Sequence, residues 1–570
     1  MTAIPPARTS PAALDQVVGR LKEASRTFAG LSLDRRIELC ERMRLGYASI
    51  AAESAEAACR AKGVDPGSPV AGEEWISGPM VTLRVLRQTA EALREVGRRG
   101  APVLGRSRCR TLPDGRLAVK VFPGNAMDSV LLAKHEAEVY LQRGVTADNL
   151  SEHQASFYRK PHGGRLCVVL GGGNVNSIPP TDVIYKMFVE GTVCVLKMNP
   201  VNAYLGPFVE RAFQAAIDQG FLAVAYGGAE EGAYLVQHPL VDEVHITGSD
   251  RTHDLMVWGP AGPEREERKK RNDPLLKKEI TSELGNISPV IVVPGPYPEA
   301  DLAFQANNIA GMVVHNASFN CNAAKLLVTQ RGWPRRQELL ERIERGIARA
   351  APRQAYYPGA EQRWAQLTEG RPGLRTIGKP GPGQLPWAII PDVDPSKADE
   401  RVFTMEPFCA VLSETSLEGA DPAPFLEKAV AFVNEKVWGT LCATVVVHPE
   451  SLRDPQVARA VEKAISDLRY GTVCINTWAG AVFGLGQTPW GAYPGSTLQD
   501  IQSGRGWVHN TVMLEKIEKA VLRAPVRTLP VPPWFPGHRS LGQLGRRLVE
   551  LEANPSWLKV PAVAAAALRA

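Results

Sequence analysis

What this 570-residue chain lacks narrows its function first. Its nine cysteines are an odd number, widely spaced, and never form a C-x-x-C pair. That argues against a disulfide framework or a structural zinc site and for a reducing compartment. No apolar run approaches the ~20 residues needed to cross a bilayer, and the Ala-rich stretch at 560–568 is too short to do so. Residues 1–6 lack the basic and apolar regions of a signal peptide, so a cytoplasmic protein is the expectation. Charge of one sign is missing too. The formal charge is only +6, and the one dense run, 264–271, mixes both signs. Nucleic acid is therefore not an expected partner, and that run reads as a solvated surface insertion. Apolar and charged contents of 44% and 22% are those of a soluble globular protein, and the length calls for two or three domains.

The pattern along the chain is helical first. Ser10-Pro11 is an N-cap followed by proline at the first helical position, a second helix runs from 32 to about 63, and a third covers 80–96. Residues 104–165 are less regular. From 165 onward strands and helices alternate, with strands at 166–170, 192–196, 222–225, 243–247 and 290–293 and helices at 182–190 and 205–219. Such alternation predicts a parallel sheet covered by helices on both faces. Ligands bind such sheets at the carboxyl ends of the strands, where Asn174, Lys197 and Gly248 stand. The alternation resumes from 285 to 480, with strands at 325–329, 410–412 and 441–447 and a helix at 424–434. A second α/β domain is the natural reading. Residues 530–536 open a tail whose prolines and aromatic pair suit a lid, a subunit clasp or a plain surface strap.

Two segments carry chemistry. Ser282-Glu283-Leu284-Gly285-Asn286 places a carboxylate beside a turn, and Ser318-Phe319-Asn320-Cys321-Asn322 places a single thiol among small and polar residues. A thiolate can attack an electrophilic carbon, and a carboxylate beside it can later activate water. Taken alone, a lone Cys on an apolar segment is more often an inert core residue.

With Asn174, Lys197, Thr247-Gly248-Ser249, Glu283-Leu284-Gly285, Ser288-Pro289, Cys321 and Glu406-Pro407-Phe408 in this order, the chain resembles the aldehyde dehydrogenase superfamily over roughly residues 25–525. The resemblance implies an α/β fold with a Rossmann-type cofactor domain, an α/β catalytic domain and a small oligomerisation β-element. The corresponding division is 1–284 for the helices and NAD(P) domain, with an assembly hairpin near 145–165. Residues 285–487 would form the catalytic domain, 488–525 the late loop and assembly strand, and 526–570 an extension. A homodimer or homotetramer is implied, with an aldehyde as substrate, NAD or NADP as cofactor and no metal.

In the roles so implied, Cys321 forms a thiohemiacetal whose oxyanion expels hydride, and Glu283 is the base that hydrolyses the thioester. The Asn174 amide and the Cys321 N–H form the oxyanion hole. Lys197, 23 residues after Asn174 as in the family, contacts the adenosine ribose. Gly248 and Ser249 open the helix under the pyrophosphate. Glu406 holds the nicotinamide ribose, Phe408 packs beside the ring, and Gly173 and Leu284 complete the cofactor set. Structural alternatives stand beside two of these roles: Asn174 as a turn residue after three glycines, and Glu283 as a carboxylate bonding nearby amides.

Departures qualify the resemblance. Ser318 and Phe319 replace the usual pair before the nucleophile, and Asn286-Ile287 replace a glycine and a basic residue. Gly173 replaces a Trp, and Pro200 stands where NAD-preferring members often carry Glu. Loss of that carboxylate makes NADP as plausible as NAD. Asn199-Pro200 is also similar to members that pass the acyl group to coenzyme A. Three readings follow: a hydrolytic aldehyde dehydrogenase, a coenzyme A-acylating dehydrogenase or acyl-CoA reductase, and a silent member of the fold. Trp478 and Phe483 are expected to line the aldehyde pocket.

Overall fold

The computed structural model describes residues 6–397 and 399–569. Three long helices come first, Pro11–Ala29, Leu33–Ala61 and Val81–Arg99. Ser10 and Ser32 cap the first two through their hydroxyls, as the sequence predicts. Their apolar faces cover a sheet of six strands in the order Gly504–Arg505, Glu279–Glu283, Glu243–Thr247, Leu166–Leu170, Val193–Lys197, Leu222–Ala225. The five longer strands are parallel, and the near-continuous apolar runs of Leu166–Leu170 and Val193–Lys197 match burial on both faces.

The second sheet has eleven strands, built around a parallel centre: Thr472–Ile475, Cys442–Val446, Ser288–Val292, Ala324–Gln330, Val411–Leu417 and Trp387–Ile390. Ile517–Arg523 extends it from Thr472–Ile475 and carries the antiparallel strands Glu136–Leu141, Leu117–Phe122 and Cys109–Thr111. Mixed α/β architecture with large parallel sheets is therefore as expected.

Local differences have local causes. The helix expected at 182–190 starts earlier, at Ile178–Phe188, because Pro179 and Pro180 fall in its first turn, where no N–H is needed. The single helix expected over 205–219 is broken into Gly206–Ala212 and Gln214–Ile217 by a non-helical Phe213. The hairpin placed near 145–165 is corrected. Those residues hold the 3-10 turns Leu150–His153 and Ser156–Tyr158, and the hairpin is formed earlier by Leu117–Phe122 and Glu136–Leu141. Ala155 in a left-handed conformation and the Gly163-Gly164 pair suit turns rather than paired strands.

The tail lies on its own chain. Trp534 packs so closely over Gly311 that a Cβ there would come within 2.3 Å of the Trp534 carbonyl oxygen. Its indole N–H donates to Asn308 Oδ1 at 2.8 Å. The helix Leu541–Ala553 packs on Gly72–Trp75, and Glu552 pairs with both Arg84 (2.8 Å) and Arg87 (2.7 Å). No helix among the described residues is long and apolar enough to cross a membrane.

Candidate active site

The two sheets are joined at 284–287. Glu283 ends the strand Glu279–Glu283 of one, and Ser288 begins the strand Ser288–Val292 of the other. Cys321, Phe408 and Trp438 stand just before strands of the eleven-stranded sheet. Asn174, Lys197, Gly248 and Glu283 stand at or just beyond the carboxyl ends of strands of the six-stranded sheet. A cavity of about 990 Å³ runs between these two sets of strand ends. Its lining includes Asn174, Lys197, Gly248, Ser249, Glu283, Leu284, Cys321, Glu406 and Phe408. Of the expected catalytic and cofactor-binding residues, Gly173 alone is not in this wall. A Cβ at Gly173 would meet Asn199 Oδ1 at 2.7 Å, so its role is to let the 199–201 loop pack against it.

The thiol and the carboxyl face one another on the cavity floor. Burial pushes the Glu283 carboxyl up to about 8; the Cys321 thiol opposes this, and Asp182 and Glu406 add to it. Glu283 Oε1 has no hydrogen-bond partner, and neither has the indole N–H of Trp490, which faces it. The Cys321 thiol is held well above its ordinary range by burial and then by Glu283, Cys442 and Glu406. In this state Cys321 and Glu283 are both neutral at pH 7, and one proton must leave before attack.

Cys321 is placed by an unusual turn. Asn316, Ala317 and Ser318 have φ of 53°, 54° and 69°, three successive left-handed residues with no glycine among them. Side chains hold that turn. The Asn316 amide donates to Asn174 O (3.0 Å), Phe319 O (3.1 Å) and Asn320 Oδ1 (3.1 Å). Its oxygen accepts from Lys62 Nζ (3.1 Å) and the Tyr356 hydroxyl (2.9 Å). Lys62 is itself buried against Glu74 at 2.9 Å. On the other side of the turn, Lys325 Nζ donates to Ser318 O and Oγ, both at 2.7 Å. Ser288 Oγ donates to Cys321 O at 3.1 Å.

Asn174 spends one amide hydrogen on Phe319 O at 3.0 Å. This fixes its carboxamide beside the nucleophile loop and leaves its second N–H for a substrate oxygen. Glu406 accepts the Asn286 N–H at 3.0 Å, and a Cβ on Gly285 would lie 2.1 Å from its Oε2. Gly285 is thus required by Glu406, a link invisible from spacing. Burial moves Glu406 up to about 7 against the opposing Asn286 N–H, Lys325 and Arg363.

Farther along the cavity, Ser249 caps the helix Asp250–Trp258, accepting Thr252 N at 3.2 Å. Lys197 makes no hydrogen bond through Nζ among the described residues. Burial brings it down to about 8, with Glu231 opposing. A buried ammonium and a helix N-terminus on one wall suit a polyhydroxylated, anionic ligand. Trp478 and Phe483, expected in an aldehyde pocket, do not line this cavity. Trp478 donates to Asn322 O at 2.7 Å and packs on His315 and Trp534, while Phe483 packs on Trp490 and His509. Sequence reasoning missed Lys325, Trp490 and Lys62. Nothing in the runs around them separates them from strand, loop and helix residues, and only the fold brings them to Cys321.

Residues 50–350 match the model of the aldehyde dehydrogenase family. Among curated proteins, the N-succinylglutamate 5-semialdehyde dehydrogenase of Novosphingobium aromaticivorans is 25% identical over 256 residues, covering 45% of this chain and 50% of that protein. The enzyme of the same name from Ectopseudomonas mendocina is 25% identical over 327 residues, covering 57% and 53%. The chain spans about half the length of the curated relatives it matches. Among solved structures, the NADP-dependent glyceraldehyde-3-phosphate dehydrogenase of Bacillus halodurans, complexed with NADP, superposes with a TM-score of 0.58. It is 16% identical, and the match covers 91% of this chain and 92% of that one. Aldehyde dehydrogenase C of Pseudomonas syringae, complexed with NAD+ and octanal, gives a TM-score of 0.58 at 18% identity, covering 90% and 89%. At these identities the structural likeness concerns the fold.

Proposed function

The chain belongs to the aldehyde dehydrogenase family, and we propose that it oxidises an aldehyde to a carboxylic acid through a thioester on Cys321, with NAD or NADP as electron acceptor. The observation that carries this reading is the pairing of the Cys321 thiol with the Glu283 carboxyl at the floor of one long cavity.

Lys197, the Ser249-capped helix start and Glu406 would hold the dinucleotide, and their burial and free polar atoms fit it. When bound, the nicotinamide supplies an acceptor for the hydride of the aldehyde carbon. The protein's own residues do the rest. Cys321 Sγ gives up its proton and bonds to the carbonyl carbon. The free N–H of Asn174 and the Cys321 backbone N–H stabilise the resulting oxyanion, a contribution of about 3 kcal/mol per donor in comparable sites. After hydride loss the acyl group is a thioester, and Glu283 takes a proton from the water that hydrolyses it. Because Glu283 loses its own proton only near pH 8, hydrolysis by this route rises with pH through that value.

That same raised value favours a second reading. A carboxyl protonated at neutral pH is a poor base for water, whereas a coenzyme A thiolate needs no such help to accept the acyl group. In either case Pro200 lines the cavity and offers no side-chain acceptor for a ribose hydroxyl, which removes one reason to prefer NAD over NADP. We propose further that residues 1–284, 285–487, 488–525 and 526–570 are the functional divisions, with assembly as a homodimer or homotetramer. The test is aldehyde-dependent reduction of NAD and of NADP, followed by absorbance, with and without coenzyme A. Reduction without coenzyme A supports hydrolysis. Reduction only with it moves the assignment to acyl transfer. Reduction undiminished in Cys321→Ala refutes the thioester.

A further inference from the structure

Among the described residues two buried lysines lack a carboxylate within ion-pair distance, Lys197 on the cofactor wall and Lys325, whereas the others are compensated. Lys62 pairs with Glu74 at 2.9 Å, and Lys186 pairs with Glu190 at 2.5 Å. Lys519 donates to the carbonyls of Ile465, Ser466 and Leu468, at the carboxyl end of the helix Pro455–Asp467, where a positive charge is favoured. Lys325 is 1% exposed and has neither arrangement. Its two hydrogen bonds go to the carbonyl and hydroxyl of Ser318, and among the described residues no carboxylate lies within ion-pair distance of it. A buried ammonium without a close counter-ion costs several kcal/mol, and such a cost persists where another need maintains it.

The surroundings identify the need. Lys325 stands four residues after Cys321 and grips the backbone three residues before it, so it brackets the nucleophile. The groups facing Lys325 are Cys409, Glu406, Arg363 and Cys321. The groups facing Cys321 itself, Glu283, Cys442 and Glu406, all oppose a thiolate there. Reactive thiolates require positive potential nearby. Arg363 is held away on the 407–408 segment, its guanidinium donating to the carbonyls of Pro407, Phe408 and Pro358 rather than to the nucleophile loop.

We propose that Lys325 is a positioning residue for Cys321, its buried ammonium serving as the counter-charge on which the Cys321 thiolate forms. Burial brings that ammonium down to about 8. The proposal rests on Cys321 being the nucleophile. It also gives the left-handed path of 316–318 a use: that path brings the Ser318 carbonyl and hydroxyl to the Lys325 ammonium.

The test is alkylation of Cys321 by iodoacetamide, in which the thiolate displaces iodide, followed by peptide mass from about pH 6 to about pH 10. Wild type is compared with Lys325→Arg, which keeps the charge, and with Lys325→Gln and Lys325→Met, which remove it. Folding is checked by circular dichroism. In the neutral variants the alkylation midpoint is expected to rise by about one pH unit, with about tenfold slower alkylation at neutral pH, while Lys325→Arg stays near wild type. Turnover should fall through kcat with the nucleotide KM unchanged. A wild-type midpoint in a folded neutral variant overturns the proposal even if turnover is lost, because a purely structural role would give that result. Failure of both neutral variants to fold, with Lys325→Arg folded, would make Lys325 a scaffold residue and equally overturn it. If alkylating wild-type Cys321 leaves aldehyde-dependent reduction intact, the nucleophile reading fails instead, so the two failures are separable.

Discussion

Glu283 is a buried carboxyl whose cost can be measured apart from catalysis. Its ordinary value of 4.5 is raised to about 8 in the folded protein, first by burial. A group raised on folding contributes stability that is complete below about pH 4.5 and is lost as pH climbs through about 8, because the unfolded chain releases the proton sooner. Glu283→Gln keeps the shape but removes that loss. At 1.36 kcal/mol per unit, the advantage of the variant should be under about 1 kcal/mol at pH 5, about 3 kcal/mol at pH 7 and about 5 kcal/mol at pH 9. For a chain of this length, about 3 kcal/mol corresponds to a rise in Tm of roughly 2–3 °C. The assay is thermal melting of the two proteins in matched buffers across this range, read as the difference at each pH. A difference that stays constant with pH, or that favours wild type more as pH rises, would refute the account of Glu283 as a buried and mostly protonated acid.

Cys321→Ala should lose aldehyde-dependent reduction while binding nucleotide as wild type does, checked by steady-state absorbance and by titration of nucleotide fluorescence. Glu283→Gln, given aldehyde and nucleotide, should retain an acyl mass on Cys321 that coenzyme A or hydroxylamine removes; a bare enzyme mass would count against Glu283 as the deacylating base. Without coenzyme A, the wild-type kcat should climb with pH to a midpoint near 8, and a flat profile from about pH 6 to about pH 9 would dissociate hydrolysis from Glu283. Gly285→Ala forces a methyl to 2.1 Å from Glu406 Oε2 and should raise the nucleotide KM by about tenfold or more with kcat less affected, measured with saturating aldehyde.

Much of the fold was legible because local and global preferences agree. Leu166–Leu170 and Glu243–Thr247 are short runs bounded by Gly or turn residues, and they became the parallel strands such runs predict. Boundaries failed where one residue overrides a pattern, as Phe213 does in interrupting the helix after Gly206. The hairpin was misplaced because its strands are irregular in pattern: Leu117–Phe122 is buried on both faces, so the alternation that marks an exposed hairpin is missing. For the site, spacing indicated which side chains would meet at the cavity, and the structure does bring Cys321, Glu283, Asn174, Lys197 and Glu406 to it. Spacing could not show Lys325. In sequence it is the second residue of an ordinary strand, Ala324–Gln330, and only the turn at 316–318 gives its ammonium a carbonyl to hold. Nor could spacing show that Gly173 serves the 199–201 loop rather than the cofactor wall.

The strand Ile517–Arg523 also has a bearing on how the chain is made. It lies between Glu136–Leu141 and Thr472–Ile475, so among the described residues it is the strand that joins the hairpin to the centre of the eleven-stranded sheet. A ribosome that has finished Leu141 needs roughly 20–75 s more to reach Arg523 at ordinary elongation rates. Throughout that interval the nascent hairpin carries a strand edge with nothing to pair to, and Arg84 and Arg87 wait equally for Glu552. An open edge is a template for association with other chains. Production of this protein should therefore depend on chaperones that mask early strands, and premature termination before 517 should yield aggregates rather than a smaller folded enzyme.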